Sequence, residues 1–130
     1  MNTSENITIK DLLVYFIPNV IELGEVEVGI METFSIIYSG PYPIATYDNK
    51  NYKVKTTCGC SVAEIKNNVI TTQYIPKAFT AGQLKYNPEM THYEAKKFIK
   101  ITLDLGNDME IEVPIPFKST VYKQLSKNLP

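Results

Sequence analysis

Apolar and polar residues alternate one for one near the C-terminal end of the chain. Every second residue is apolar from Ile99 to Leu105, and the same alternation runs from Met109 to Phe117. This period of two is that of a β-strand with one buried face. The intervening residues, Gly106, Asn107 and Asp108, are typical of a tight turn. The two runs therefore predict an antiparallel β-hairpin.

The hairpin's register follows from the rule that side chains directly opposite each other share a face. A two-residue loop pairs Leu105 with Asp108 and puts a carboxylate on the buried face. A three-residue loop pairs Leu105 with Met109 instead, so we predict that loop. The further pairs expected from it are Leu103 with Ile111, Ile101 with Val113, and Ile99 with Ile115.

Two prolines lie in the second of these strands. Pro114 and Pro116 are two residues apart, so both lack the N–H that would point to the same edge of the strand. We expect this stretch to pair only on the side that faces Ile99 to Leu105. The strand is then either the edge of its sheet or changes partners at the prolines.

The rest of the chain consists of short segments rich in β-branched and aromatic residues, separated by turn signals. Asp11 to Phe16 fits a strand or a short helix, and Thr91 to Lys97 fits one helical turn. No segment keeps a helical period, so we predict an all-β protein. The further strand candidates are Val20–Leu23, Glu25–Val28, Thr33–Ser39, Tyr52–Cys60, Ser61–Ile65 and Val69–Ile75.

Length and charge restrict the function. A chain of 130 residues is expected to form one domain. Its basic residues are all lysine, and its formal net charge is −1, which disfavours a nucleic-acid surface. The longest apolar run, Leu12 to Ile17, is too short to span a membrane. The N-terminus lacks a basic segment followed by an apolar one, so no signal peptide is expected.

The strongest chemical signal is the pair Cys58 and Cys60 around Gly59. Side chains two apart on a strand point the same way, so both sulfurs could meet one soft metal ion. Tetrahedral zinc needs four ligands, and His92 is the one histidine available. We therefore expect reduced thiols, no bound metal and no cofactor. Without a nucleophile–base pattern for His92 to serve, we also expect no catalytic residues and no enzyme activity.

Several of these segments together resemble a known family. The run Leu23-Gly24-Glu25-Val26, then Gly29, the strand ending in Ser39-Gly40, and Cys58-Gly59-Cys60-Ser61 are similar to an uncharacterised bacterial immunoglobulin-like family. That family carries Cys-Gly-Cys-Thr, where this chain has Ser61, and ends in a hairpin. The resemblance covers residues 20–122. It implies an immunoglobulin-like β-sandwich of about seven to nine strands.

These expectations divide the chain into an N-terminal arm (1–18), an immunoglobulin-like sandwich (19–123) and a C-terminal tail (124–130). Six consecutive apolar residues cannot all lie on one face of a solvated strand, so the arm is expected to contact a partner protein. Tyrosines in the loops are further contact candidates because tyrosine is enriched at interfaces. The expected interface residues are Leu12, Leu13, Tyr15, Phe16, Tyr42, Tyr47 and Tyr86.

The function favoured by these features is structural. A small lysine-only sandwich without a signal peptide fits an auxiliary or decoration protein of a phage or virus particle, which binds other virion proteins. Frequent Ile, Asn and Lys also fit an AT-rich genome. Such a protein is located in the virion, or in the host cytoplasm before assembly. Two alternatives are a thiol- or metal-handling accessory protein that uses Cys58 and Cys60, and a cytoplasmic immunoglobulin-like adaptor.

Overall fold

A computed structural model of the chain describes residues 7–48, 50–59 and 61–123. This part of the chain folds into two four-stranded β-sheets and two short helices, so the predicted all-β class is confirmed. The elements are α1 (Ile9–Leu13), β1 (Phe16–Ile17), β2 (Ile21–Glu27), β3 (Glu32–Tyr38), β4 (Val54–Thr56), β5 (Ser61–Lys66), β6 (Val69–Tyr74), α2 (Ala81–Tyr86), β7 (His92–Gly106) and β8 (Met109–Tyr122).

The two sheets pack face to face as a sandwich. Sheet A has the strand order β1-β3-β6-β5, and all its pairs are antiparallel. Sheet B has the order β2-β8-β7-β4, in which β2 runs parallel to β8 and the other pairs are antiparallel. Phe117 of sheet B packs its ring against Phe34 and Tyr74 of sheet A, with centroid distances of 5.2 and 5.3 Å. The inward faces of the two sheets therefore form one core.

The long β7–β8 hairpin confirms most of the predicted register. Ile99, Ile101 and Leu103 lie opposite Ile115, Val113 and Ile111 as expected, and all but Ile111 are fully buried. The predicted pair of Leu105 with Met109 is wrong, because Met109 lies opposite Gly106. The turn itself has two residues, Asn107 and Asp108, both with positive φ. Leu105 is the extra residue of a β-bulge. The bulge shifts the register of the hairpin by one residue, and we had attributed that shift to a three-residue loop.

The prolines of β8 act as predicted. Residues 112–116 pair with β7 alone, and the ladder with β2 begins at Phe117. Pro114 and Pro116 therefore mark a change from edge strand to interior strand. β2 pairs with β8 only beyond Pro116, where the backbone of β8 again has N–H donors on that edge.

The expected N-terminal arm is wrong for residues 7–18, which are part of the sandwich. Thr8 caps α1, accepting a hydrogen bond from the Asp11 N–H at 3.2 Å while the Asp11 carboxylate accepts one from the Thr8 N–H at 2.9 Å. α1 packs against β8 and buries Leu12, and β1 pairs with β3 and buries Phe16. Helix and strand thus turn Leu12 and Phe16 inward. Residues 1–6 lie outside the described residues, as does the predicted tail, 124–130.

Two other predictions of local structure are wrong, and one helix was not predicted. The strand predicted from Tyr52 to Cys60 is limited to Val54–Thr56, because the chain turns at residues 57–59. The helical turn proposed within Thr91 to Lys97 is absent, since β7 already begins at His92. Helix α2 was not predicted. Its signal was the capping box formed by Thr80 and Gln83.

Candidate interaction surface

The outward faces of the two sheets differ in charge. On the outward side of sheet B, lysines and glutamates form ion pairs, of which the shortest joins Lys53 Nζ to Glu110 Oε1 at 2.8 Å. This hydrogen bond raises the pKa of Lys53 above its ordinary value. Glu112 lies between Lys55 and Lys100, at 3.3 and 3.7 Å. Such a charged face is typical of a sheet surface that stays in water.

The outward face of sheet A, called the sheet A face below, is apolar at both ends. At one end, Ile17 and Ile37 are cross-strand neighbours with 62% and 54% of their surface exposed, and Val69 lies opposite Ile37 on the next strand. At the other end, Met31, Val62 and Ile75 line a shallow groove of about 340 Å³. The outward-facing strand residues of sheet A are Ile17, Thr33, Ser35, Ile37, Val62, Glu64, Lys66, Val69, Thr71 and Gln73.

The middle of the sheet A face is polar but uncharged. The hydroxyls of Ser35 and Thr71 lie 3.3 Å apart across β3 and β6. The charged side chains of the face, Glu64 and Lys66, are both on the edge strand β5. Exposed apolar residues beside neutral hydrogen-bonding groups are typical of a protein–protein contact.

The alternation of side chains between the two faces of a strand explains why these apolar residues face outward. In β3, Phe34, Ile36 and Tyr38 point into the core, so Ile37 between them must point out. In β6, the inward positions include Thr72, which is fully buried. An isoleucine outside and a threonine inside are the reverse of the pattern that a solvated face requires.

Two of the predicted arm contacts are wrong as surface contacts. Leu12 and Phe16 are each 1% exposed in the chain's own core, so they are not available to a partner. Leu13 and Tyr15 are half-buried and pack against the same core. The outward-facing apolar residues of this segment are Val14, at 67% exposure, and Ile17.

The predicted loop tyrosines occupy three different environments. Tyr42 is half-buried, and its carbonyl accepts a hydrogen bond from the Tyr38 hydroxyl. Burial raises the pKa of Tyr38 above its ordinary value. Tyr47 is 68% exposed beside the Lys53 ammonium, and Tyr86 is 92% exposed at the end of α2. Tyr47 and Tyr86 therefore remain exposed candidates, and neither is on the sheet A face.

The expectation of reduced thiols is wrong for Cys58, which is disulfide-bonded. Cys60, the other cysteine of the sequence, lies outside the described residues. Cys58 was predicted to lie on a strand, but it lies in a turn. Its carbonyl there accepts a hydrogen bond from the Ser61 N–H at 3.2 Å. A disulfide sulfur is not a thiolate, so in this state Cys58 does not ligate a metal.

His92, the remaining metal candidate, is exposed at the start of β7. Its Nδ1 lies 3.1 Å from the Thr91 hydroxyl, and its ring lies against that of Tyr122. Within residues 7–48, 50–59 and 61–123, no three His, Cys, Asp or Glu side chains are grouped as a metal site. Neither described helix has the length and apolarity needed to cross a bilayer.

Comparison with known proteins assigns no family. No protein-family model matches the chain, and no curated protein matches it. The sheet A face must therefore be interpreted from its own chemistry. This face was not predicted from the sequence, although one signal was present: Ile37 occupies a position of β3 where the alternation calls for a polar residue.

Proposed function

We propose that this chain is a structural protein that binds other proteins through the sheet A face, as an auxiliary or decoration protein of a phage or virus particle. The observation that carries the proposal is the contrast between the two outward faces. Ile17, Ile37 and Val62 are each more than half exposed on sheet A, whereas sheet B presents paired charges. Apolar side chains on one broad face gain free energy when a partner removes them from water.

We further infer that the sandwich is immunoglobulin-like, and its strand order supports this. An immunoglobulin domain has strands A, B, E and D in one sheet and C, F and G in the other. The order β1-β3-β6-β5 corresponds to A-B-E-D, and β4, β7 and β8 correspond to C, F and G. β2 then corresponds to a second part of the first strand that has crossed to the other sheet.

The virion setting is supported by the sequence. The chain has one small β-domain, no arginine and a net charge near zero, which favours protein contacts over nucleic-acid contacts. A protein that coats a particle needs a broad binding face and an opposite face compatible with water, and sheets A and B differ in this way.

The test is association with particles. Particles from the virus that encodes the chain are purified by density gradient, and the bound copies are counted by quantitative mass spectrometry. We expect the wild-type chain at a fixed copy number. Ile37→Lys puts a charge in the middle of the apolar end of the face and should remove the chain from the particles.

The matched control is Thr102→Lys, which adds the same charge to the outward face of sheet B, opposite Glu112. This variant should bind particles at the wild-type copy number. Circular dichroism verifies that both variants are folded. A wild-type chain that is absent from particles contradicts the virion proposal, and equal loss of both variants contradicts the assignment to the sheet A face.

A further inference from the structure

The four edge strands of the sandwich are protected to different degrees. β1 has two residues and is followed by Pro18, and β4 has three residues. β2 is interrupted by a bulge between Glu22 and Glu25. These are the usual ways in which sheet edges avoid pairing with another chain. β5 (Ser61–Lys66) has six residues, no proline and an unbroken register with β6. Of the four, β5 is the edge that remains open.

The turn after β5 fixes which of its backbone groups are free. Lys66 and Val69 flank the two-residue turn Asn67-Asn68, so the backbone groups of Lys66 face β6. The direction alternates along a strand, so the groups of Ala63 and Ile65 face away from β6. In the described part of the chain, neither residue uses them in a hydrogen bond.

Ser61 agrees with this alternation and is already satisfied. Its N–H donates to the Cys58 carbonyl at 3.2 Å, and its C=O accepts a hydrogen bond from the Thr56 hydroxyl at 2.9 Å. Ser61 therefore has no need of a strand partner. The backbone N–H and C=O groups on this edge that remain free to pair with another strand are those of Ala63 and Ile65.

We propose that β5 pairs with β5 of a second copy of this chain, antiparallel and about a two-fold axis through Ile65. A two-fold axis perpendicular to the sheet keeps outward residues opposite outward residues. An axis at Glu64 or at Lys66 puts like charges opposite each other, and an axis at Ala63 requires the occupied backbone of Ser61. An axis at Ile65 pairs Glu64 of each copy with Lys66 of the other. The two Ile65 residues then exchange backbone hydrogen bonds, while Ala63 lies opposite the turn residue Asn67.

This register satisfies both charges of the sheet A face. Neither Glu64 nor Lys66 forms an ion pair within the described part of the chain, and their neighbours on β6 are the neutral Thr71 and Val69. In the dimer, each copy contributes one carboxylate and one ammonium to two symmetric cross-strand pairs. Charge complementarity thus selects a second copy over an unrelated strand.

The surface beside β5 also fits an added strand. An open groove of about 490 Å³ lies between β4 and β5. Tyr52, which is 45% exposed, and the half-buried Val54, Ala63 and Ile65 line it, together with polar residues. A second chain at the β5 edge covers this groove. Pairing makes one eight-stranded sheet, whose two sheet A faces point to the same side. The dimer forms through the backbone edge of β5 with Glu64 and Lys66, whereas the proposed function depends on the exposed apolar side chains of the sheet A face, so each contact can be lost without the other.

The test reverses the charges one at a time. The dimer is measured by sedimentation velocity and native mass spectrometry at up to ~200 µM, because a short edge interface gives weak association. Glu64→Lys puts lysine opposite lysine in both pairs, and Lys66→Glu puts glutamate opposite glutamate. Each should raise the dissociation constant about tenfold or more. The double variant Glu64→Lys/Lys66→Glu restores both pairs and should dimerise like the wild type.

Mixing the two single variants gives the sharpest outcome. A heterodimer of Glu64→Lys with Lys66→Glu has two opposite-charge pairs, so it should form at concentrations where each variant alone is monomeric. Glu89→Lys, the same charge change in an exposed loop, should leave the dimer unchanged. Thermal unfolding verifies that every variant is folded. A wild type that is monomeric at ~200 µM, or a dimer that tolerates both single reversals, overturns the proposal.

Discussion

At the scale of single residues, Gly40 is the described glycine with the least room for a side chain. The ring of Tyr38 is buried against Phe16, with a centroid distance of 4.8 Å, and folds back over Gly40. A Cβ on residue 40 would lie 2.7 Å from both Cε1 and Cζ of that ring. Tyr38 cannot move away easily, because its hydroxyl donates to the Tyr42 carbonyl. We expect Gly40→Ala to lower the free energy of unfolding by about 1–3 kcal/mol, measured by urea denaturation.

Gly59→Ala is the matched control for this clash. No heavy atom lies within 4 Å of a Cβ built on Gly59. The same added methyl group should therefore change the free energy of unfolding by less than about 0.5 kcal/mol. Equal effects at the two positions would show that backbone freedom, and not the Tyr38 ring, decides the cost at Gly40.

At the scale of elements, both long antiparallel hairpins depend on residues with positive φ. Asn67 and Asn68 connect β5 to β6, and Asn107 and Asp108 connect β7 to β8. Two-residue turns of this type favour glycine at the second position. Asp108→Gly should raise the free energy of unfolding by about 0.5–1 kcal/mol, because it removes the cost of a left-handed conformation. Asp108→Val should lower it by about 1–2 kcal/mol, because a β-branched residue resists positive φ.

Chemical denaturation of the two variants beside the wild type measures both changes. Opposite signs at one position are diagnostic, since Asp108 is exposed and loses little else on substitution. If valine and glycine were equally tolerated, residue 108 would not adopt the left-handed conformation in solution.

The same hairpin shows how far the sequence determines an element. The rule that opposite side chains share a face predicted the pairs of Ile101 with Val113 and Leu103 with Ile111, because a shift by one residue would put Asp108 opposite Leu105 on the buried face. The bulge at Leu105 was not predictable from that rule, because a bulge and a longer loop give the same register farther along the strands. The positions of the two prolines in β8 also predicted correctly on which edge this strand lacks a partner, since proline has no N–H to donate to a neighbouring strand.

At the scale of the whole molecule, the sequence predicted the layers better than the surfaces. Alternation identifies which side chains share a face, but not which face another element covers. Leu12 and Phe16 were wrongly assigned to an interface. They are buried because α1 and β1 pack on strands that are distant in the sequence, and the local residue pattern does not reveal that packing. The sheet A face was missed for the same reason. Ile37 becomes notable once Ile17 and Val69 are known to lie beside it.

The placement of the N-terminal segment in the core leads to a test on two neighbouring residues. Leu12 is 1% exposed on the buried side of α1, whereas Val14, two residues later, is 67% exposed. Leu12→Ala leaves a cavity between α1 and β8 and should lower the free energy of unfolding by about 2–5 kcal/mol. Val14→Ala removes apolar atoms from the surface and should change it by less than about 0.5 kcal/mol. Urea denaturation of both variants measures the difference. A separate arm that contacts only a partner would give two equally stable variants, because neither side chain would then contribute to the folded domain. A large cost at Leu12 alone means that the first helix is required for the fold, and that a partner can meet this segment only through Val14, Ile17 and their exposed neighbours.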